Sequence, residues 1–163
     1  MNRQKFVASL ALVALAVVGL TGPAAAAEQV PFKGSLEGVV THIPVDPQTD
    51  YVVVDATGTA THLGQFAVTV PHFVNNTTRT ATGLYQFTAA NGDTLTAQFT
   101  GQASPTATPG VIYIVETATI TGGTGRFAGA TGSFVVERLF DRIAGTTVGS
   151  FGGTISPPGA GNP

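Results

Sequence analysis

Gly122-Gly123-Thr124-Gly125-Arg126-Phe127-Ala128-Gly129-Ala130-Thr131-Gly132 places five glycines in eleven residues, with alternating strand-like sequence on both sides. Glycine reaches positive φ at no steric cost, so such a cluster marks a tightly folded corner. The stretch predicts the turn of a β-hairpin whose one large apolar residue, Phe127, tucks back as a plug. Gly122, Gly123, Gly125, Gly129 and Gly132 are then structural residues of that corner.

The strands on either side carry the most informative charges. Glu116 shares the face of Ile112, Ile114, Ala118 and Ile120, and Arg138 that of Phe134, Val136 and Phe140. Paired positions in an antiparallel hairpin have a constant sum, and a turn centred near Phe127 sets Glu116 opposite Arg138. The same register sets Ile114 against Phe140, Ala118 against Val136 and Ile120 against Phe134. Opposite charges facing each other on an apolar face form a low-dielectric pair, in which removing one partner strands the other. Such a pair reads as a lumen acid beside a cation, able to orient or protonate an apolar ligand, as a register-fixing ion pair, or as part of an oligomer interface. The structural and interface roles carry more weight than the functional one.

Further out, turn clusters divide the chain into eight strands at 32–42, 51–61, 64–74, 79–90, 94–103, 111–121, 131–140 and 146–155. Pro44-Val45-Asp46-Pro47 separates the first pair, Asn91-Gly92-Asp93 makes a hairpin turn, and Ser104 to Gly110 forms a loop. Leu63-Gly64 is the weakest division, readable as a bend within one long strand. Phe66, Val68 and Val70 share one side of the third strand; Leu95, Ala97 and Phe99 alternate with Thr94, Thr96, Gln98 and Thr100. Val52, Val54, Ala56 and Ala60 likewise alternate with Asp55, Thr57, Thr59 and Thr61. This one-face-buried pattern belongs to antiparallel sheets. Eight such strands with short links predict an all-β, eight-stranded antiparallel up-and-down barrel, which removes exposed edges. A β-sandwich is the alternative. An eight-stranded barrel has room for packed side chains or one small ligand.

The amino terminus reads as a secretory signal peptide over residues 1–27: Arg3 and Lys5, an apolar run from Phe6 to Leu20, and a small-residue end at Ala25-Ala26-Ala27. Cleavage before Glu28 leaves 136 residues (163 less 27), one domain over 28–155 and a Pro/Gly-rich tail over 156–163 expected to be loose. The expected localisation is secreted, periplasmic or extracellular. The apolar run is shorter than the roughly 20 residues a membrane span needs, so no span is expected after processing. There is no cysteine, hence no disulfide and no lipid-anchored N-terminal Cys. Losing Arg3 and Lys5 takes the formal charge from −2 to −4, which argues against nucleic acid as a partner.

The motif Gly122-Gly123-Thr124-Gly125-x-Phe127-x-x-Ala130-x-Gly132, set between its two strands, resembles the glycine hairpin of the dirigent proteins and the related Gly-Gly-x-Gly-x-Phe turn of allene oxide cyclases. The resemblance implies an eight-stranded antiparallel barrel and, since both families commonly form trimers, a homo-oligomer, trimer or dimer. It covers this hairpin, about a fifth of the mature chain, with the strand count as looser support. The motif is structural, and none of the families' lumen residues is carried over to this chain.

Among other chemistry-bearing residues, His62 falls on the phase of Val54, Ala56 and Ala60, and His72 on that of Phe66, Val68 and Val70. An imidazole at a barrel mouth can act as acid or base, although a satisfied rim histidine is the commoner case. His42, His62 and His72 lack the spacing and acidic partners of a zinc site, so no metal is expected. Tyr85 could offer a hydroxyl to a ligand, or cap the core with its OH in water. Neither a nucleophile elbow nor a phosphate loop is present, and no cofactor is implied. Asn75-Asn76-Thr77-Thr78 reads as a polar turn. The leading expectation is a secreted barrel that binds a small apolar or amphipathic molecule in its lumen. The alternatives are a dirigent- or cyclase-like enzyme or stereochemical guide with Glu116 as acid, and a ligand-free structural module of the cell envelope. An outer-membrane barrel ranks last: it requires aromatic girdles at both rims, whereas only Phe32, Tyr51, Phe73 and Phe140 lie near strand ends, and the Pro-rich tail is not a terminal strand.

Overall fold

A computed structural model describes residues 28–160. The signal-peptide reading falls on residues 1–27 and lies outside that range, as does the end of the tail. The chain forms eight antiparallel strands: β1 (Val30–Asp46), β2 (Thr49–Ala60), β3 (Gly64–Asn75), β4 (Thr80–Ala89), β5 (Thr94–Pro105), β6 (Val111–Gly123), β7 (Gly132–Asp141) and β8 (Thr146–Ile155). Each pairs with its sequence neighbours, and β8 returns to β1 from Val30↔Ile155 to Val39↔Thr146, closing the barrel. The closure excludes the sandwich.

The alternation read from the sequence becomes an inside and an outside. Val52, Val54, Phe66, Val68, Val70, Leu95, Ala97 and Phe99 are buried, and the intervening threonines of β2 face solvent. Leu63-Gly64 is a true turn: His62 and Gly64 take φ of 66° and 68°, left-handed values that reverse the chain between β2 and β3. β1 runs past Pro44 to Asp46, absorbing the proline at an irregularity in its pairing with β2.

The glycine stretch does form the β6–β7 corner, with a 3₁₀ turn over Gly125–Phe127 and Phe127 fully buried. Gly125 has a φ of 56°, and a Cβ there would stand 1.9 Å from Asp93 Oδ1, so both backbone and space require glycine. Arg126 lies over the Phe127 ring at 5.1 Å, contacts Asp93 at 3.5 Å, and donates to Leu63 O at 3.3 Å. The corner is thus latched to the two neighbouring turns and closes that end of the barrel.

Two expectations are corrected. The hairpin is centred on Arg126, the middle of the 3₁₀ turn, so Glu116 pairs with Val136 and Arg138 with Ile114. Likewise Phe140 lies opposite Ile112, and Ala118 opposite Phe134. A slip of two residues preserves which face each side chain occupies. The tail is not loose up to Ala160: Ser156 N donates to Thr131 O at 2.8 Å, Ser156 Oγ accepts from Thr131 N at 3.1 Å, and Gly159 N donates to Arg126 O at 2.7 Å. Proline removes donors from a ladder, but the N–H groups of Ser156 and Gly159 find carbonyls of the glycine corner.

The interior has two storeys. At the corner end, Phe32, Phe66, Phe87, Phe134 and Phe151 fill the bore, with ring centroids 5.1–6.5 Å apart in edge-on and tilted contacts. Tyr85 stacks on Phe87 at 5.6 Å and 12°, and above it the bore opens.

Candidate functional site

The open storey is a cavity of about 440 Å³ that widens toward the β1–β2, β3–β4, β5–β6 and β7–β8 connections. Val40, Val52, Val74, Ala81, Ile112, Ile114 and Phe140 supply apolar wall; Glu116, Arg138 and His72 lie deeper, and His42, Asp50, Arg79 and Arg142 stand around the mouth.

Glu116 and Arg138, on β6 and β7, are 0% and 5% exposed. They stand diagonally across the ladder, and their length bridges the step. Arg138 grips the carboxylate with both arms, Nε to Oε2 at 3.0 Å and Nη2 to Oε1 at 2.8 Å. Tyr85 donates its hydroxyl to Oε2. Arg138 Nη1 reaches Thr147 Oγ1 at 3.4 Å, and that hydroxyl donates to Leu139 O at 2.8 Å. Glycines on the adjoining strands make the space: a Cβ at Gly101 would stand 2.8 Å from Glu116 Cγ, and one at Gly149 2.5 Å from Arg138 Cβ.

The electrostatics follow from that packing. Burial pushes the Glu116 carboxyl up, but the charge and hydrogen bonds of Arg138, with the Tyr85 hydroxyl, more than reverse this and hold it below the usual carboxylate range. The Arg138 guanidinium is opposed by burial and held protonated still more firmly by Glu116. Burial, and next the Glu116 charge, drive the Tyr85 phenol well above its ordinary value. Glu116 is therefore held as an anion, which does not suit it to the proton-donating role weighed for it from the sequence. Three of the five N–H groups of the Arg138 guanidinium bond Glu116 and Thr147, and the side chain lines the cavity.

The structure brings together three of the four residues singled out as ligand contacts: Glu116, Arg138 and Tyr85. It separates His62, which sits on the β2–β3 turn at the plugged end, because that turn begins before the strand phase can carry the ring inward. Tyr85 is 1% exposed, its OH on Glu116 instead of in water. His72 is not a rim residue: it lines the cavity at 3% exposure, edge-on to Phe99. His42 does have an acidic neighbour, Asp50 at 3.7 Å, brought close by β1–β2 pairing, and stacks on Phe140 at 5.4 Å. Sequence reasoning missed Thr147, Arg79 and Arg142. Thr147 was legible as the position facing Phe140, but two arginines in separate turns become neighbours of one mouth only through barrel closure.

No family model matches the sequence, and no curated protein is detectably similar to it. Among solved structures, the pterocarpan synthase dirigent proteins GePTS1 and PsPTS1 resemble it. GePTS1 superposes with a TM-score of 0.56 at 13% identity, covering 82% of this chain and 87% of its own. PsPTS1 gives 0.55 at 12% identity, covering 80% and 96%. Together with the closed eight-stranded sheet, these likenesses establish a dirigent-like β-barrel fold.

Proposed function

We propose that this dirigent-like barrel takes a small, mostly apolar molecule into the open half of its lumen and fixes its orientation, in the manner of a stereochemical guide. The observation that carries the reading is the one-ended cavity of about 440 Å³ with an ionised, hydrogen-bonded pair at depth. Ligand pockets characteristically combine apolar walls with a few placed polar groups at about this size. Here Arg138, deep in the cavity wall, draws an acceptor atom of the guest inward, and its two bonds to Glu116 keep the guanidinium from turning. The signal-like sequence of the amino terminus supports a site of action outside the cytoplasm.

Native mass spectrometry of protein purified from its own host tests the reading and reports the number of copies assembled. A retained small-molecule mass is expected on the unaltered chain and not on Ala81→Trp, which fills the mouth. Bare chain from both preparations would favour a barrel whose ion pair only fixes register.

A further inference from the structure

His72 is a buried polar side chain that the Glu116–Arg138–Tyr85 network does not use. Its Nδ1 is 2.9 Å from Val70 O, and a carbonyl can only accept, so Nδ1 carries the proton. A neutral ring then has its lone pair on Nε2, which finds no partner among the described residues while the ring lines the cavity. Val52 and Gly83 flank His72 on the two neighbouring strands, and a Cβ at Gly83 would stand 2.4 Å from His72 Cβ. The ring thus occupies the space that glycine leaves. The charged and titratable groups around it are Glu116 on β6, Arg138 on β7 and His42 on β1, with Asp50, Arg79 and Arg142 farther out at the mouth.

We propose that His72 Nε2 is the acceptor that selects the guest: the lumen favours an apolar molecule bearing a hydrogen-bond donor, an O–H or N–H, over the same skeleton without one. The inference rests on the lumen-binding reading and adds a chemical class to it. Arg138 offers donors and His72 an acceptor, so two unlike handles meet one molecule and distinguish its ends. An unmet buried acceptor is costly, which makes the discrimination larger than that of a solvent-exposed contact. Burial, only partly offset by the Val70 carbonyl, keeps the ring neutral below the ordinary histidine range, so the acceptor persists into mildly acid solution.

The test compares 1-naphthol with naphthalene by fluorescence titration, with the fold checked by circular dichroism at each pH. The unaltered protein is expected to bind 1-naphthol about tenfold more tightly, the value of one well-made hydrogen bond. The preference should hold from about pH 8 through about 6.5, the ordinary histidine value, and be lost only well below it as Nε2 protonates. His72→Gln, which keeps an acceptor that does not titrate, should retain the preference without the pH dependence; His72→Phe should abolish it. Equal binding of both probes by the unaltered protein, or a preference that survives His72→Phe, overturns the role of His72 and leaves lumen binding standing. Failure of both probes to bind overturns lumen binding itself, and this inference with it.

Discussion

At Glu116 and Arg138 the chain sets two charges in an apolar bore, which is favourable only while each satisfies the other. Replacing either alone, as Glu116→Gln or Arg138→Met, strands a buried charge or donor set, and the expected loss is about 3–5 kcal/mol in urea denaturation. Glu116→Leu combined with Arg138→Met removes both charges and should lose much less than the sum. This pair was legible in the sequence as two charges on otherwise apolar faces. Its diagonal geometry was not, because register depends on how the turn residues divide between the strands. The same groups set the pH dependence. Glu116 titrates below its unfolded value, so its contribution is present above about pH 4.5 and is lost as pH falls through the folded value. His72 is also depressed, so the unfolded chain takes up a proton first and stability begins to fall below about pH 6.5. Urea midpoints should therefore be flat from that point up to about pH 9, below the range in which the unfolded Tyr85 phenol ionises. They should decline below about pH 6.5, and His72→Gln should flatten the upper part of the decline.

At the scale of elements, the β6–β7 corner works as a clasp. Its glycine spacing was readable because only glycine tolerates the backbone required. Its reach was not: the bonds from Arg126 to Leu63 and Asp93, and from the tail to Thr131, join residues remote in sequence. Tail docking is likewise invisible to composition, since Pro and Gly mark the absence of a strand, not the absence of partners. Gly125→Ala combines left-handed strain with a clash against Asp93, so a loss above about 1 kcal/mol is expected by thermal melting. Removing the opposing side chain through Asp93→Ala relieves the clash but not the strain, and the double variant should recover only part of that loss.

Across the described residues, one continuous sheet encloses two regions of different packing. Alternation predicted the cylinder, yet it could not say which inward residues would meet at the axis and which would leave space. Phenylalanines at Phe32, Phe87, Phe134 and Phe151 crowd one end, whereas Gly83, Gly101 and Gly149 admit polar side chains at the other. That division predicts a separation of stability from binding. Phe32→Ala hollows the plugged end, away from Tyr85, and should cost about 3–5 kcal/mol, the range for a buried phenylalanine. Naphthol affinity at the mouth should remain within twofold while the variant is folded. Ala81→Trp should do the opposite, blocking naphthol with little change in the urea midpoint, because the ring enters existing space. Loss of binding in Phe32→Ala at a temperature where it is fully folded would mean that the aromatic storey shapes the pocket directly. The two halves would then form one functional unit.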